Sequence, residues 1–289
     1  MDTRTKQIAE RVAIRKPVFD IGADNETGNY FAATSDGHRI YYNVWKPNNP
    51  IKAQVLFFHG LGEHVRRYDH IFSKFALAGI LVKGLDWRGH GRTFFRNANA
   101  IQGYHESFSQ VFADMLQLYS IDINGSTKNA VPVFVAGHSL GGLLALAFTQ
   151  LYKNKIQNLR GCISQAPAIG THVHWILRFL VKIIGSLLGK FVQRNALQID
   201  KLCSSENAIR SYLRDPLVHE LISFRLAKDM FVYGDLMQST ARQFTTPLIV
   251  YHSKNDKFTC AATSKKFVAE AGSRDKIYKE FGTPFEHER

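Results

Sequence analysis

A chain of 289 residues, 45% of them hydrophobic and 21% charged, is long enough to bury one large core and carries no long low-complexity stretch or solenoid-like repeat, which excludes disorder and repeat architectures. Lys and Arg number 37 against 24 Asp and Glu, a formal charge of +13, yet the basic residues are scattered and form no nucleic-acid arm or motif, so no nucleic-acid partner is expected. Three cysteines, Cys162, Cys203 and Cys260, stand too far apart for a disulfide framework or a zinc site; a reducing compartment is expected, with no metal and no cofactor.

The opening stretch MDTRTKQIAERVAIRKPVFD is charged throughout and lacks the apolar core of a signal peptide. No apolar run approaches the roughly 20 residues of a membrane span, so the protein is expected in the cytoplasm or attached to a membrane surface. GNYFAATSDGHRIYYNVWKP predicts an antiparallel hairpin turned at Asp36-Gly37. AQVLFFHG is a buried strand, RYDHIFSKFALAGI an amphipathic helix ended by Gly79, and ILVKGLDWRGHG a strand entering a glycine-rich loop. HESFSQVFADMLQLYS is a helix, VPVFVAGHS a strand, LGGLLALAFTQLYKN a helix and LRGCISQAP a strand.

There the alternation fails. From Ala168 to about Gly234 the pattern is helical with no clear strand, and strand returns at TPLIVYHSKND, followed by the helix CAATSKKFVAEAG and the strand KIYKEF. The reading is an α/β fold: a mostly parallel central sheet with helices on both faces and a helical cap insertion. Residues 1–167 form the first part of the core, 168–234 the cap and 235–289 the second part of the core. The cap is expected over the carboxyl edge of the sheet, where open α/β sheets bind ligands.

GHSLG, Gly137 to Gly141, fits G-x-S-x-G at a strand-to-helix bend, the context in which this motif carries chemistry. The bend pushes Ser139 toward an uncommon backbone conformation, with glycines leaving room for strand and helix to meet. A serine hydroxyl is a weak nucleophile and needs a histidine oriented by a carboxylate, in this fold in the order serine, acid, histidine. Asp256, in the polar loop after LIVYHS, and His287, in the late GTPFEHER, have that order; Asp275 is a weaker competitor on the wrong side of the sheet. Leu140, next after the serine, and Leu61, turned by His59-Gly60, are expected to offer backbone N–H groups to an oxyanion. His59 and His138 are expected to orient loops, and His90 to brace a turn with Asp86 and Arg88. His172 and His174 have no carboxylate or cysteine ligand near them in sequence, so they are not read as a metal site.

The segments FFHGLGEHVRRY, GLDWRGHGRT, AGHSLGGLLAL, HSKNDKFT and the late FEHE, with RDPLVHELISFRLAKDM inside the cap, together resemble the monoacylglycerol lipases of the α/β-hydrolase fold, most nearly the fungal and microbial members. The likeness runs from about Tyr30 to the carboxyl end. It implies hydrolysis of monoacylglycerol to glycerol and a fatty acid through an acyl-enzyme, with Ser139, Asp256 and His287 as the triad and Leu61 and Leu140 as oxyanion donors. Lysophospholipase, general carboxylesterase or acyltransferase chemistry on the same triad stays open, as does a non-catalytic lipid-binding protein of the same fold. Trp87 stands where the family often has glutamine and is expected to alter the surface beside the site. The chain stops two residues after His287, where family members continue into a final helix, so a less firmly held histidine loop is expected.

HWILRFLVKIIGSLLGKFV in the cap reads as an amphipathic helix. Arg178, Lys182, Gly185, Ser186, Gly189 and Lys190 share one arc; Leu177, Leu180, Ile183, Ile184, Leu187, Leu188 and Phe191 fill the opposite side. Packing of the apolar arc on the domain is one reading. The other makes Leu177, Leu180, Ile184 and Leu188 part of the substrate entrance and lid, dipping into a membrane or lipid-droplet surface. An acyl chain of about 15 methylenes at roughly 0.8 kcal/mol each offers on the order of 12 kcal/mol in a dry tunnel. Three basic residues add at most about 1 kcal/mol apiece at an anionic surface.

Overall fold

Strands covered by helices on both faces can be apolar along nearly their whole length, and the two at the centre of this protein are, apart from Gln54 and His138. The computed structural model describes residues 29–123, 131–194 and 205–282. β3 (Ala53–Phe58, AQVLFF) and β5 (Val133–His138, VFVAGH) pair in parallel. Around them lie β1 (Asn29–Ala32), β2 (Arg39–Trp45), β4 (Ile80–Leu85), β6 (Leu159–Gln165), β9 (Leu248–Ser253) and β10 (Lys276–Phe281), in the order β1-β2-β4-β3-β5-β6-β9-β10. β4, β3, β5, β6, β9 and β10 run parallel to one another, while β2 pairs antiparallel with both β1 and β4. Its turn has Gly37 at φ 74°, as the Asp36-Gly37 reading requires. The alternation of side chains along β3 divides the core. Val55 and Phe57 pack with Phe72 of α1 (Asp69–Leu77), while Leu56 and Phe58 join the larger cluster with Phe112 of α3 (Phe108–Ser120) and Phe148 of α4 (Leu140–Tyr152).

α4 is apolar all round because it is buried all round, from Leu140 through Thr149. Charges enter the core only with partners. Lys83, buried in the middle of β4, donates to the carbonyls of Tyr119 and Ile121 at the end of α3, and burial pushes its ammonium down to about 8. Arg88 follows β4 and is fully buried. It pairs with Asp114 on α3 at 2.8 Å and with Asp36 at the hairpin turn at 2.5 Å, which holds the Asp36 carboxyl at about 2.

Between β6 and β9 the chain leaves the sheet. It forms α5 (Trp175–Leu187), β7 (Val192–Arg194), α6 (Glu206–Arg214), β8 (Leu221–Ser223) and α7 (Phe224–Ser239), with β7 and β8 antiparallel. The insertion is therefore not purely helical: strands of three residues are too short to show an alternation in sequence. Gly234, expected near its end, lies inside α7, where the absence of a side chain admits the Ile169 carbonyl; an added Cβ would sit 2.7 Å from that oxygen. A short α2 (Gly91–Phe95) and α8 (Ala261–Glu270), between β9 and β10, complete the elements.

Candidate active site

Between β5 and α4 the chain turns on a single residue. Ser139 sits there at φ 57°, ψ −121°, a conformation that costs a residue with a side chain about 1–3 kcal/mol. Neighbouring backbone over-determines it: the Ser139 N–H donates to the Gln165 carbonyl at 2.8 Å, and its carbonyl accepts from Leu143 and Ala168, both at 3.1 Å. Glycines make this possible, since a Cβ at Gly137 would meet the Gly141 carbonyl oxygen at 2.0 Å. The half-buried serine lines a cavity of about 350 Å³ together with Gly60, Leu61 and Leu140.

The loop after β3 is braced by a residue the sequence reading left out. Glu63, buried, accepts from the Gly60 N–H at 3.0 Å and from the Tyr68 hydroxyl at 2.7 Å, and pairs with Arg67 at 3.3 Å. With the Gly60 N–H thus engaged, the neighbouring Leu61 N–H has no acceptor among the described residues. Nor has the N–H of Leu140, the first residue of α4, which by position has no intrahelical acceptor. Both residues line the same cavity as the serine. The turn GLGEH carries the signal that could have found Glu63: an acidic residue three positions after the glycine whose N–H it takes.

The other histidines pack rather than react. His59 accepts from the Trp87 N–H at its Nε2 and donates from Nδ1 to the Gly60 carbonyl at 2.8 Å, so its neighbours fix the tautomer. Trp87 is fully buried, stacks on His59 and donates its indole N–H to the His59 carbonyl; it supports this loop from beneath and does not alter the surface. His90 meets the Arg88 carbonyl as expected, but Asp86 turns elsewhere, accepting from the N–H groups of Val65 and Arg92. His219 of the insertion docks on the same loop, its N–H donating to the Gly62 carbonyl at 2.9 Å. Burial holds His59, His90 and His105 below their ordinary values and His219 down to about 4, which keeps these rings neutral.

Asp256 follows β9 at the carboxyl edge of the sheet and is buried. Its Oδ1 accepts from the N–H groups of Phe258 (2.8 Å) and Thr259 (2.9 Å), and its Oδ2 from the Thr259 hydroxyl at 2.7 Å. Thr259 also lines the serine's cavity. Asp275 lies at the opposite end of the sheet, its carbonyl accepting from Leu248 at the start of β9. His287, like Cys203, lies outside the described residues.

The cap completes the walls. Leu177 and Val181 of α5, Ile222 of β8 and Met230 and Phe231 of α7 line the cavity. The orientation of α5 reverses the packing reading. Its small and basic arc faces α7: Arg178 and Lys182 both pair with Asp235, and a Cβ on Gly185 would lie 2.4 Å from the Phe224 carbonyl oxygen. The apolar arc is turned outward, with Trp175 70% and Leu187 78% exposed. Of the four substrate or lid candidates, Leu177 reaches the cavity, Leu180 and Leu188 are exposed, and Ile184 is half-buried outside the lining. A second, polar cavity of about 510 Å³, bounded by His64, Arg67, Tyr68, Ser211 and Asp215, shares Glu63 and His138 with the first.

A sheet of this order, with a strained serine between a central strand and a buried helix, has the α/β-hydrolase fold. The chain belongs to the monoglyceride-lipase-like α/β-hydrolases; the family described as Hydrolase_4, serine aminopeptidase S33, matches residues 49–288. It is 34% identical over 236 residues to an uncharacterized abhydrolase domain-containing protein of Dictyostelium discoideum, covering 81% of this chain but spanning only 24% of that relative's length. It is 30% identical to the monoacylglycerol lipase of Mycolicibacterium smegmatis, over 84% of this chain and 85% of the relative. In fold it is similar to a soluble variant of monoglyceride lipase from Saccharomyces cerevisiae, solved with a substrate analog, at a TM-score of 0.76 and 22% identity over 88% of this chain and 85% of that one.

Proposed function

We propose that this protein is a serine hydrolase that cleaves the ester of a monoacylglycerol, releasing glycerol and then a free fatty acid. The observation that carries the reading is the position of Ser139, strained on its bend and lining an apolar cavity together with Leu61 and Leu140, whose N–H groups have no acceptor among the described residues. Ser139 Oγ attacks the ester carbon as its proton passes to the imidazole of His287, assigned by chain order, with Asp256 orienting that ring. The N–H groups of Leu61 and Leu140 hold the oxyanion. Collapse expels the glycerol oxygen, which takes the proton from the imidazolium. Water, deprotonated by the same ring, then attacks the acyl-enzyme, and breakdown frees Ser139 and the fatty acid.

The polar cavity favours a neutral alcohol over a phosphorylated one. Both of its guanidinium groups are already engaged, Arg67 by Glu63 with Asp215 at 3.8 Å and Arg66 by Asp69 at 3.0 Å, so a phosphate would enter beside three carboxylates. A 1-acylglycerol is therefore expected to be cleaved with at least about tenfold higher kcat/KM than the lysophosphatidylcholine of the same chain, a difference of about 1.4 kcal/mol. Equal or reversed rates would overturn the glyceride reading. A fluorophosphonate adduct found by mass spectrometry on a residue other than Ser139 would overturn the mechanism.

Among the described residues no helix is long and apolar enough to cross a membrane. The outward arc of α5 supports peripheral contact with a membrane or lipid-droplet surface from the cytoplasmic side. Of the three basic residues on the opposite arc, Arg178 and Lys182 are committed to Asp235 and Lys190 is exposed, so charge contributes little. Flotation with phosphatidylcholine vesicles is expected to change less than about threefold between about 0.1 and 1 M salt, where screening shortens from about 10 to 3 Å. Leu187→Glu is expected to weaken it about tenfold or more. Release by salt alone would contradict apolar docking.

A further inference from the structure

His252, at the end of β9, is buried, and the mechanism above gives it no part. Its two ring nitrogens meet two hydroxyls: Nδ1 lies 3.0 Å from Ser264 Oγ on α8, and Nε2 lies 3.1 Å from Thr259 Oγ1. Ser264 is fully buried, and His252 Nδ1 is the acceptor within reach of its hydroxyl among the described residues. A buried hydroxyl donates where it can, so Ser264 donates and Nδ1 accepts. The ring proton then sits on Nε2 and is donated to Thr259 Oγ1.

Thr259 has one proton to give. Its hydroxyl is 2.7 Å from Asp256 Oδ2 and 3.2 Å from the Ala166 carbonyl, and the nearer, charged acceptor takes it. Every donor in the chain thus points the same way, from Ser264 through His252 and Thr259 to the carboxylate. His252 Nε2 is itself 3.3 Å from Oδ2, which adds to the pull on that oxygen. Lys254 and Lys257 on the same loop are exposed, whereas the ring of His252 is buried.

We propose that Thr259 is a positioning residue for Asp256, its hydroxyl held on Oδ2 by the hydrogen-bond chain that Ser264 and His252 impose. This rests on the reading of Asp256 as the acid of the triad. With Oδ1 fixed by two backbone N–H groups and Oδ2 by the threonine, the plane of the carboxylate is set before any substrate arrives. Loss of the hydroxyl would leave the carboxylate more basic and freer to turn. It would then hold a protonated imidazole more tightly while orienting a neutral one less well.

Thr259→Val is accordingly expected to lower kcat about 10- to 100-fold with KM little changed, and to move the acid limb of the kcat/KM profile to higher pH. Thr259→Ser, which keeps the donor, is expected to return kcat to within about threefold of the wild type. Ser264→Ala, remote from substrate, frees His252 to take the other tautomer, whose Nε2 would accept the threonine's proton in place of Asp256. It is expected to lower kcat roughly threefold to tenfold and shift the acid limb the same way. Asp256→Asn is measured in parallel. If that variant keeps full activity, the triad reading fails; if it is inactive while Thr259→Val and Ser264→Ala keep wild-type kcat and acid limb, the positioning role fails. Should Thr259→Val not fold, Ser264→Ala decides by the same two readouts.

Discussion

Ser139→Ala is expected to lower kcat by about 10⁴- to 10⁶-fold while the protein still melts in one cooperative transition. The nucleophile does not act alone, and this sets the range. Removing the serine or the histidine of such a triad costs about as much as removing all of it, and what remains comes from binding and the oxyanion donors. The fold should tolerate the change because backbone bonds to Gln165, Leu143 and Ala168 hold the bend. Alanine keeps a Cβ, so at φ 57° it keeps the strain as well. Ser139→Gly should differ here, equally inactive but more stable than the alanine variant by about 1 kcal/mol. Glyceride turnover and thermal melts of the two variants separate the chemistry of the side chain from the strain of its backbone. Turnover within tenfold of wild type in Ser139→Ala would end the nucleophile assignment.

The legible parts of the sequence were those in which a local pattern has one physical cause. Apolar runs such as VLFF and VFVAG could only be strands covered on both faces, and GHSLG between strand and helix could only be a strained turn. What escaped was decided by contacts distant in sequence. α5 is amphipathic by any wheel, yet amphipathicity does not say which side meets the protein. Asp235, fifty-seven residues beyond Arg178, decides it by taking the basic arc inward, and Gly185 lets the helices close. Trp87 reads as a surface substitution because its burial depends on His59, brought to it by the separate loop after β3. Glu63 and His252 go unassigned for a different reason, that their residue type alone does not name a partner. A carboxylate turned back on its own loop, or a histidine aimed at a helix, resembles an ordinary polar residue until the partner is known.

Gly141→Ala is expected to be severely damaging for a single-methyl change, because it strikes the fold and the site together. A Cβ at position 141 would lie 2.1 Å from the Phe58 carbonyl oxygen and 2.4 Å from that of His59. Both obstacles are backbone at the end of β3, and neither can rotate aside as a side chain could. Overpacking a core usually costs about 1–3 kcal/mol, but a clash that must part a strand from a helix belongs to the exceptional class above about 4 kcal/mol. For a domain of this size that lowers Tm by on the order of 10 °C. The displaced strand end leads directly into Gly60 and Leu61, so the molecules that do fold should carry a misplaced oxyanion donor. A shift of about 1 Å there is enough to cost roughly 100-fold in rate. At Gly37 no atom lies within 4 Å of an added Cβ, and the one obstacle is the positive φ, so Gly37→Asn should cost no more than about 1 kcal/mol and leave turnover intact. Melting curves and single-turnover rates of the two variants test the contrast. A Gly141→Ala protein with wild-type Tm and rate would mean that α4 and β3 do not approach as closely as the site requires.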